Sequence, residues 1–378
     1  MKSAPADSTT DTHTFGRIPH LFDPKYITGA RERRLDQLMK VMSWNVQGEI
    51  GISDTRMQRQ LGFLEAHASD IDLLLFQAVN YERTKDEGWG GQLGTFCDFL
   101  SELEYSIVHT ADWAKELASS NVQPHTNISG AHNRCNLIAS RWPIERRPLT
   151  LRNRGNRKPR GLNYYYSQFP EKMLVTEVDV SSSPELATDT IELWNVGIIN
   201  GANWGEEKLN MLETVYGRIY LQTTKTDLPV LLGGDFNAPK REETDGSIVP
   251  HGGNAGQYTG YPDYGDPHFF RDAAGDVTEL EFKQRWQLAE TRMFDPDVGD
   301  WELRDVYWAA EKSAKASSVE DYTHVLPNGS PARKRLDHVL VSEQFDVETC
   351  EIWNGELECP NALQASDHAP VVTKLRIE

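Results

Sequence analysis

Val230-Leu231-Leu232-Gly233-Gly234-Asp235-Phe236-Asn237 is the stretch on which the reading of this chain turns. The apolar run Val230-Leu231-Leu232 reads as a strand that delivers an acid and an amide to its C-terminal end. Strand alternation puts Asp235 and Asn237 on the same side. A carboxylate there can take a proton from water, and an amide two residues on can bind an oxyanion. Taken alone, the segment serves equally well as a strand-ending turn with Asx caps, so its weight depends on the rest of the chain.

Seven further short apolar runs read as strands, over 40–46, 71–77, 135–140, 173–180, 191–196, 336–342 and 370–375, beside 229–234 itself. Most end in or near Gly, Asn, Asp or Pro. Apolar spacings of three and four predict helices over 53–68, 93–103 and 206–223. In the last, Leu209, Leu212, Val215, Tyr216 and Ile219 fall on one stripe. Strands and helices mix without a strict β-α-β rhythm. That pattern predicts a layered α/β sandwich with at least partly antiparallel sheets. No repeat or linker divides the chain, so we expect a lead over residues 1–37, read as disordered, and one domain over 38–378. Two long loops, 141–160 and 238–270, are expected; loops of that length are functional or disordered.

The composition sets limits. The chain has 378 residues, 38% of them apolar, and a formal net charge of -18. Such acidity repels bulk nucleic acid, so any nucleic-acid contact must be local. No apolar stretch approaches the ~20 residues needed to cross a bilayer, and the polar first residues carry no secretory signal. Cys97, Cys135, Cys350 and Cys359 have no metal-ligand spacing and suit reduced thiols in a cytoplasmic protein. A Cys350–Cys359 pairing is the one alternative.

Three more segments carry chemistry. Ser366-Asp367-His368-Ala369-Pro370, before the last strand, sets an oxygen ligand beside an imidazole. In Arg335-Leu336-Asp337-His338-Val339, Asp337 opens an apolar strand. A buried carboxylate needs a partner, and His368 is the candidate. His338 faces away from Asp337 and reads as surface or core filler. Ser43-Trp44-Asn45-Val46-Gln47-Gly48 ends the first strand on Asn45. Each segment alone is ordinary turn chemistry.

Together, Trp-Asn-Val, Gly-Asp-Phe-Asn, Leu-Asp-His and Ser-Asp-His, in that order and each at a strand end, resemble the endonuclease/exonuclease/phosphatase superfamily over about residues 38 to 376. The resemblance implies a four-layer αββα sandwich, two packed sheets with helices outside, and Mg²⁺-dependent phosphodiester hydrolysis, with Mn²⁺ as the substitute. It places Asn45 and Asp367 by the metal. It assigns Asp235 to the attacking water and Asn237 to the phosphate oxygens. It pairs His368, at the phosphate, with Asp337. It likens Asn200, in Ile198-Ile199-Asn200-Gly201, to a phosphate-contacting Asn. Mg²⁺ suits such a site because it prefers oxygen ligands and keeps several waters.

Three positions depart from the family pattern. In Leu75-Phe76-Gln77-Ala78-Val79, Ala78 stands where the family has the Glu that is its principal metal ligand. Either that Glu was deliberately replaced or this is a natural pseudoenzyme; the completeness of the remaining site favours replacement. Gly197 stands where the DNase branch has a His proton donor and the repair branch a Tyr. Gln47 replaces an Asp of the repair branch. For the substrate, residues 141–160 hold eight Lys or Arg, among them Arg152, Arg154, Arg157, Lys158 and Arg160, against the single acid Glu145. With Tyr164-Tyr165-Tyr166 following, the patch suits phosphate contact and base stacking on DNA or RNA, and a solvated basic loop is the plainer reading. Tyr258, Tyr261 and Tyr264 could stack likewise. A nuclease is therefore expected. The alternatives are a phosphodiesterase on a small or lipid phosphoester, and a non-catalytic nucleic-acid-binding protein.

Overall fold

Short apolar strands that end on polar residues fold here into two mixed sheets laid face to face. The computed structural model describes residues 38–48, 54–83, 88–111, 134–147, 170–183, 186–201, 205–223, 226–251, 268–271, 277–280, 282–298, 301–310, 322–325, 334–354 and 362–377. The strands of the two sheets, in chain order, are β1 (Met39–Asn45), β2 (Leu73–Asn80), β3 (Ser106–His109), β4 (Arg134–Ser140), β5 (Ile144–Arg146) and β6 (Met173–Asp179). They continue with β7 (Thr190–Gly197), β8 (Val230–Asp235), β9 (Arg304–Asp305), β10 (Asp337–Val341), β11 (Phe345–Ile352) and β12 (Val371–Ile377). The first sheet has the order β11-β12-β1-β2-β4-β3 and the second β9-β10-β8-β7-β6-β5. Each has the same centre. β1 runs parallel to β2 and antiparallel to β12, and β8 runs parallel to β7 and antiparallel to β10.

Helices α1 (Asp54–His67) and α2 (Gly91–Glu102) cover the first sheet, and α3 (Gly205–Thr223) and α4 (Phe282–Phe294) the second. Three apolar layers result. Between the sheets, Val41, Leu75 and Ile138 meet Leu174, Leu193, Leu231 and Val339. On one outer face, Trp44, Leu74 and Phe76 pack with Phe63 and Leu64 of α1 and Leu93, Phe96 and Leu100 of α2. On the other, Trp194, Val196 and Leu232 pack with Leu209, Leu212, Val215 and Ile219 of α3. The stripe on α3 is thus the face the sequence periodicity assigns. Burying each such side chain contributes roughly 1.5–3 kcal/mol, and the layers together define an αββα sandwich.

Some elements escape a reading based on apolar runs. β11, Phe-Asp-Val-Glu-Thr-Cys-Glu-Ile, is an edge strand whose residues alternate between buried and solvent-facing. α4 buries Trp286, Ala289, Met293 and Phe294 together with the charged Arg285 and Glu290. β3 and β5 are short. β5 also corrects the expected loop over 141–160, because Ile144–Arg146 pairs with β6 as the sheet edge. The loop expected over 238–270 contains a small ladder, Arg241–Glu242 with Ile248–Val249, and runs into the strand His268–Arg271.

The glycine pair of β8 has two distinct causes. A Cβ at Gly233 would stand 2.9 Å from Leu75 Cδ2 on the facing sheet, so the glycine permits the sheets' close approach. Gly234 has φ +152°, and a Cβ there would lie 1.9 Å from the carbonyl oxygen of Val196. Only glycine tolerates that backbone, and the next residue is Asp235.

Candidate active site

The C-terminal ends of the two central strands meet. Asn45 closes β1 and Asp235 closes β8, and Asn45 Nδ2 donates to Asp235 Oδ2 at 2.8 Å across the sheets. Asp337 opens β10 directly opposite Asp235 in the ladder. His368 precedes β12, and its Nδ1 lies 2.8 Å from Asp337 Oδ2. Its Nε2 is 3.5 Å from Asn45 Nδ2 and 4.0 Å from Asp367 Oδ1. Trp44 Nε1 holds the His368 carbonyl at 2.9 Å. Asn45, Asp235, Asn237, Asp337, Asp367 and His368, from widely separated parts of the chain, therefore share one location.

Asn237 reaches the site by a different route from the expected alternation. β8 ends at Asp235, and Asn237 adopts a left-handed φ of +50°. Its backbone N–H donates to Asp235 Oδ1 at 2.8 Å, and its Nδ2 to Asp235 Oδ2 at 3.0 Å and to the Ile198 carbonyl at 2.8 Å. The turn is braced from below by Lys208, a fully buried lysine of α3 that donates to the Asn237 carbonyl at 2.6 Å. Asp235 thus accepts three hydrogen bonds, and both amides point at it.

The charges are unevenly distributed. Burial pushes the Asp235 carboxyl up to about 6, with the Asp337 charge adding, against the pull of His368 and the amide donors. For His368 burial opposes the imidazolium, but Asp337 and then Asp235 and Asp367 outweigh it and hold the ring up at about 10. Burial also raises Asp367, lowers His324, and brings Lys208 down to about 8. Oδ1 of Asp337 and Oδ1 of Asp367 are buried with no hydrogen-bond partner.

Residue 78 sits beside this centre. Asn45 pairs with Gln77 in the parallel ladder, and Ala78 follows at a bulge in β2 with φ +55°. Its carbonyl accepts from Gly48 N at 2.7 Å. The methyl group offers no ligand. Gln47, at φ +45°, donates its backbone N–H to Asn45 Oδ1 at 2.9 Å. Asn200 is exposed, just beyond Ile198. At Gly197 an added Cβ would meet Asn136 Oδ1 at 3.3 Å and Lys172 Cδ at 3.8 Å. Lys172 is buried, and burial lowers it to about 8.

Some of the supporting residues were not foreseen. Gln77 Nε2 donates to Asn195 Oδ1 at 2.8 Å, and Asn195 Nδ2 to the carbonyls of Phe76 and Leu137 at 2.9 Å. Asn136 Nδ2 donates to the Asn195 carbonyl at 2.9 Å. This polar seam ties the sheets together behind the site. Its signal in the sequence is an amide inside an apolar strand, which must find a partner when buried. His338 is a core residue held at both nitrogens, by Asp305 Oδ2 and the Ala238 carbonyl, each at 2.8 Å.

Part of the basic segment is structural. Arg141 lies over the Tyr105 ring at 3.9 Å, Arg146 donates to the His109 carbonyl at 3.0 Å, and Arg147 pairs with Glu177. Arg152, Arg154, Arg157, Lys158 and Arg160 lie outside the described residues, as do Tyr164-Tyr165-Tyr166, Tyr258, Tyr261, Tyr264 and Cys359. Among the described residues no helix is long and apolar enough to cross a membrane.

The model of the endonuclease/exonuclease/phosphatase family matches residues 42–368, from β1 to the Asp367-His368 pair. The chain belongs to this family. Similar solved structures include the human Nocturnin catalytic domain with bound sulfate, at 16% identity and TM-score 0.49, covering 90% of this chain and 94% of that one. Truncated TDP2 from Caenorhabditis elegans is 14% identical with a TM-score of 0.45, over 90% of this chain and 97% of that one. An AP endonuclease from Archaeoglobus fulgidus is 14% identical with a TM-score of 0.47, over 89% and 98%. No curated protein sequence matches the chain. The family's name joins nucleases and phosphatases, and among the described residues His324, Asp367, His368, Asp235 and Asp337 form groups able to hold a metal ion.

Proposed function

We propose that this chain is a divalent-metal-dependent phosphodiesterase, a nuclease acting on DNA or RNA, whose present form is impaired by Ala78. The observation that carries the reading is the convergence of Asn45, Asp235, Asn237 and the Asp337–His368 pair where β1 and β8 end. Asp235, oriented by two amides and pushed up to about 6, is suited to align water and take its proton near neutral pH. His368, kept cationic by Asp337, faces the position where phosphoryl charge develops. Asn237 acts first on Asp235, because both of its Nδ2 bonds are already directed at Asp235 and Ile198. Asn200, exposed past the end of β7, is the further phosphate contact.

Metal fit rests on Asp367, whose Oδ1 is buried and unpartnered, with Asn45 as second oxygen donor. Mg²⁺, or Mn²⁺ in its place, would neutralise the phosphoryl oxygens and leaving group when bound. Two donors are few for a hard cation that prefers charged oxygen, and a carboxylate at position 78 supplies the missing one. Arg152, Arg154, Arg157, Lys158 and Arg160 are the proposed contacts to the polyanion. Cys97 and Cys135 carry thiols, which supports a reducing, cytoplasmic setting. A second reading, non-catalytic binding of nucleic acid, is favoured by Ala78 and Gly197.

The test is Ala78→Glu, titrated with Mg²⁺ calorimetrically and assayed on labelled single- and double-stranded DNA and RNA with Mg²⁺, Mn²⁺ or EDTA. Tighter Mg²⁺ binding and EDTA-sensitive cleavage are expected. Unchanged Mg²⁺ affinity together with no cleavage would overturn the proposal; tight Mg²⁺ without cleavage would favour the binding reading.

A further inference from the structure

The segment Tyr322-Thr323-His324-Val325 is pinned against the Asp367-His368 turn. Val325 N donates to the Asp367 carbonyl at 2.9 Å, and Ala369 N to the Thr323 carbonyl at 2.7 Å, so His324 and His368 form an antiparallel bridge. Thr323 is itself anchored, its hydroxyl accepting from the backbone N–H groups of Leu336 and Asp337. The two imidazoles therefore stand together, ring centres 4.8 Å apart, each within 4.0 Å of the Asp367 carboxylate. His324 Nε2 is 3.8 Å from Asp367 Oδ2, and His368 Nε2 is 4.0 Å from Asp367 Oδ1.

We propose that His324, Asp367 and His368 form a three-ligand site for a transition-metal dication of the Zn²⁺ or Co²⁺ class, distinct in its two imidazoles from the all-oxygen site of residues 45, 78 and 367, with which it shares Asp367. The donor types match, since imidazole and carboxylate together select such ions over Mg²⁺. The three ligand atoms lie within 4.8 Å of one another. Ligands about 2.1 Å from a tetrahedral ion stand about 3.4 Å apart, so closure draws the groups together by at most about 1.4 Å. Asp367 Oδ1 is buried without a hydrogen-bond partner, the condition of a ligand atom awaiting a cation. His368 is already in a ligand's orientation, because its Nδ1 bonds to Asp337 and leaves Nε2 facing Asp367; carboxylates support metal-bound histidines in this way, and the ion displaces the Nε2 proton of the imidazolium to solvent. The side chains of His324 and Asp367 are 21% and 26% exposed, which leaves the ion an entry and an open coordination position. A dication here takes Nε2 of His368 away from the phosphate and the carboxylate of Asp367 away from Mg²⁺. The site therefore predicts inhibition by Zn²⁺ of an otherwise competent centre.

The test uses the full chain, stripped of metal and titrated with Co²⁺ while visible absorption is recorded, followed by displacement with Zn²⁺. One Co²⁺ with the intense bands of low coordination number is expected. His324→Ala and Asp367→Asn should each weaken it roughly tenfold or more, with melting temperature recorded as the check on folding. In the Ala78→Glu form His324→Ala should still weaken Co²⁺ binding. His324→Cys should keep the ion and add a thiolate-to-cobalt charge-transfer band. Octahedral-type weak bands, affinity that follows residue 78 and ignores His324, or a folded His324→Cys protein without that band would each overturn the proposal. None of these readouts depends on catalysis, so loss of the phosphodiesterase reading would leave this result standing.

Discussion

Asp235 combines two properties that one substitution can separate. It is 4% exposed, it faces Asp337 across a ladder pair, and its carboxyl is raised from 3.8 to about 6. A group whose folded value is raised contributes stability that is fully present below the unfolded value and is lost as pH rises through the folded one. Between pH ~5 and ~8 the linkage relation makes that loss about 1.4 kcal/mol, for a folded value of about 6 against 3.8 unfolded. Asp235→Asn removes the titration. It also turns an amide toward the Nδ2 groups of Asn45 and Asn237, costing about 1–3 kcal/mol for the mismatched bonds, but that cost does not vary with pH. The measurement is urea unfolding of both proteins, freed of metal with EDTA, at half-unit steps over that range. The gap between them should close by about 1.4 kcal/mol toward alkaline pH, in favour of Asn. Parallel curves would refute the argument that Asp235 is a destabilised charge. In an Ala78→Glu background the same carboxyl should set an acid limb near 6 in single-turnover cleavage, and Asp235→Asn should abolish most turnover while substrate binding persists.

Other perturbations test other parts of the site. In the Ala78→Glu form, His368→Ala should slow single-turnover cleavage by ~10²–10³, Asp337→Asn should do so more mildly, and the double variant should fall short of their product because the 2.8 Å pair acts as a unit; full multiplication would separate them. Neutralising Arg152, Arg154 and Arg157 together should weaken nucleic-acid binding and flatten log K against log salt by about one per lost phosphate contact; an unchanged slope would make the segment solvated surface. Gly234→Ala should cost more than about 3 kcal/mol in denaturant melts, since its Cβ would meet the Val196 backbone and no rotamer can move it away; a melt within 1 kcal/mol, the scatter ordinary for surface changes, would refute that account of the glycine pair.

The strands that build the site were legible because the fold places its chemistry where the apolar runs stop. Asn45 and Asp235 are marked by period and punctuation alone, since an apolar run that ends on Asn or Asp is visible without any tertiary knowledge. Asp337 was equally visible, as a charge at the mouth of a buried strand that must have a partner. What stayed hidden depends on distance in space. His324 belongs to a four-residue segment with no periodicity, and its place beside His368 follows from two backbone hydrogen bonds, Val325 to Asp367 and Ala369 to Thr323, that join residues far apart in the chain. Lys208 reads as the polar side of an amphipathic helix, yet it is fully buried beneath Asn237 because Gly201 leaves room for its stem: a Cβ there would stand 2.8 Å from Lys208 Cδ. Asn237 was placed in the site by an alternation that ends two residues too early; a left-handed turn, closed by its own N–H on Asp235, brings it there instead. Sequence periodicity therefore locates the side chains that regular strands deliver. Those that a turn, a bridge or a void delivers become legible only when the two sheets are packed, and in this protein they are the ones that brace Asn237 and set a second imidazole beside His368.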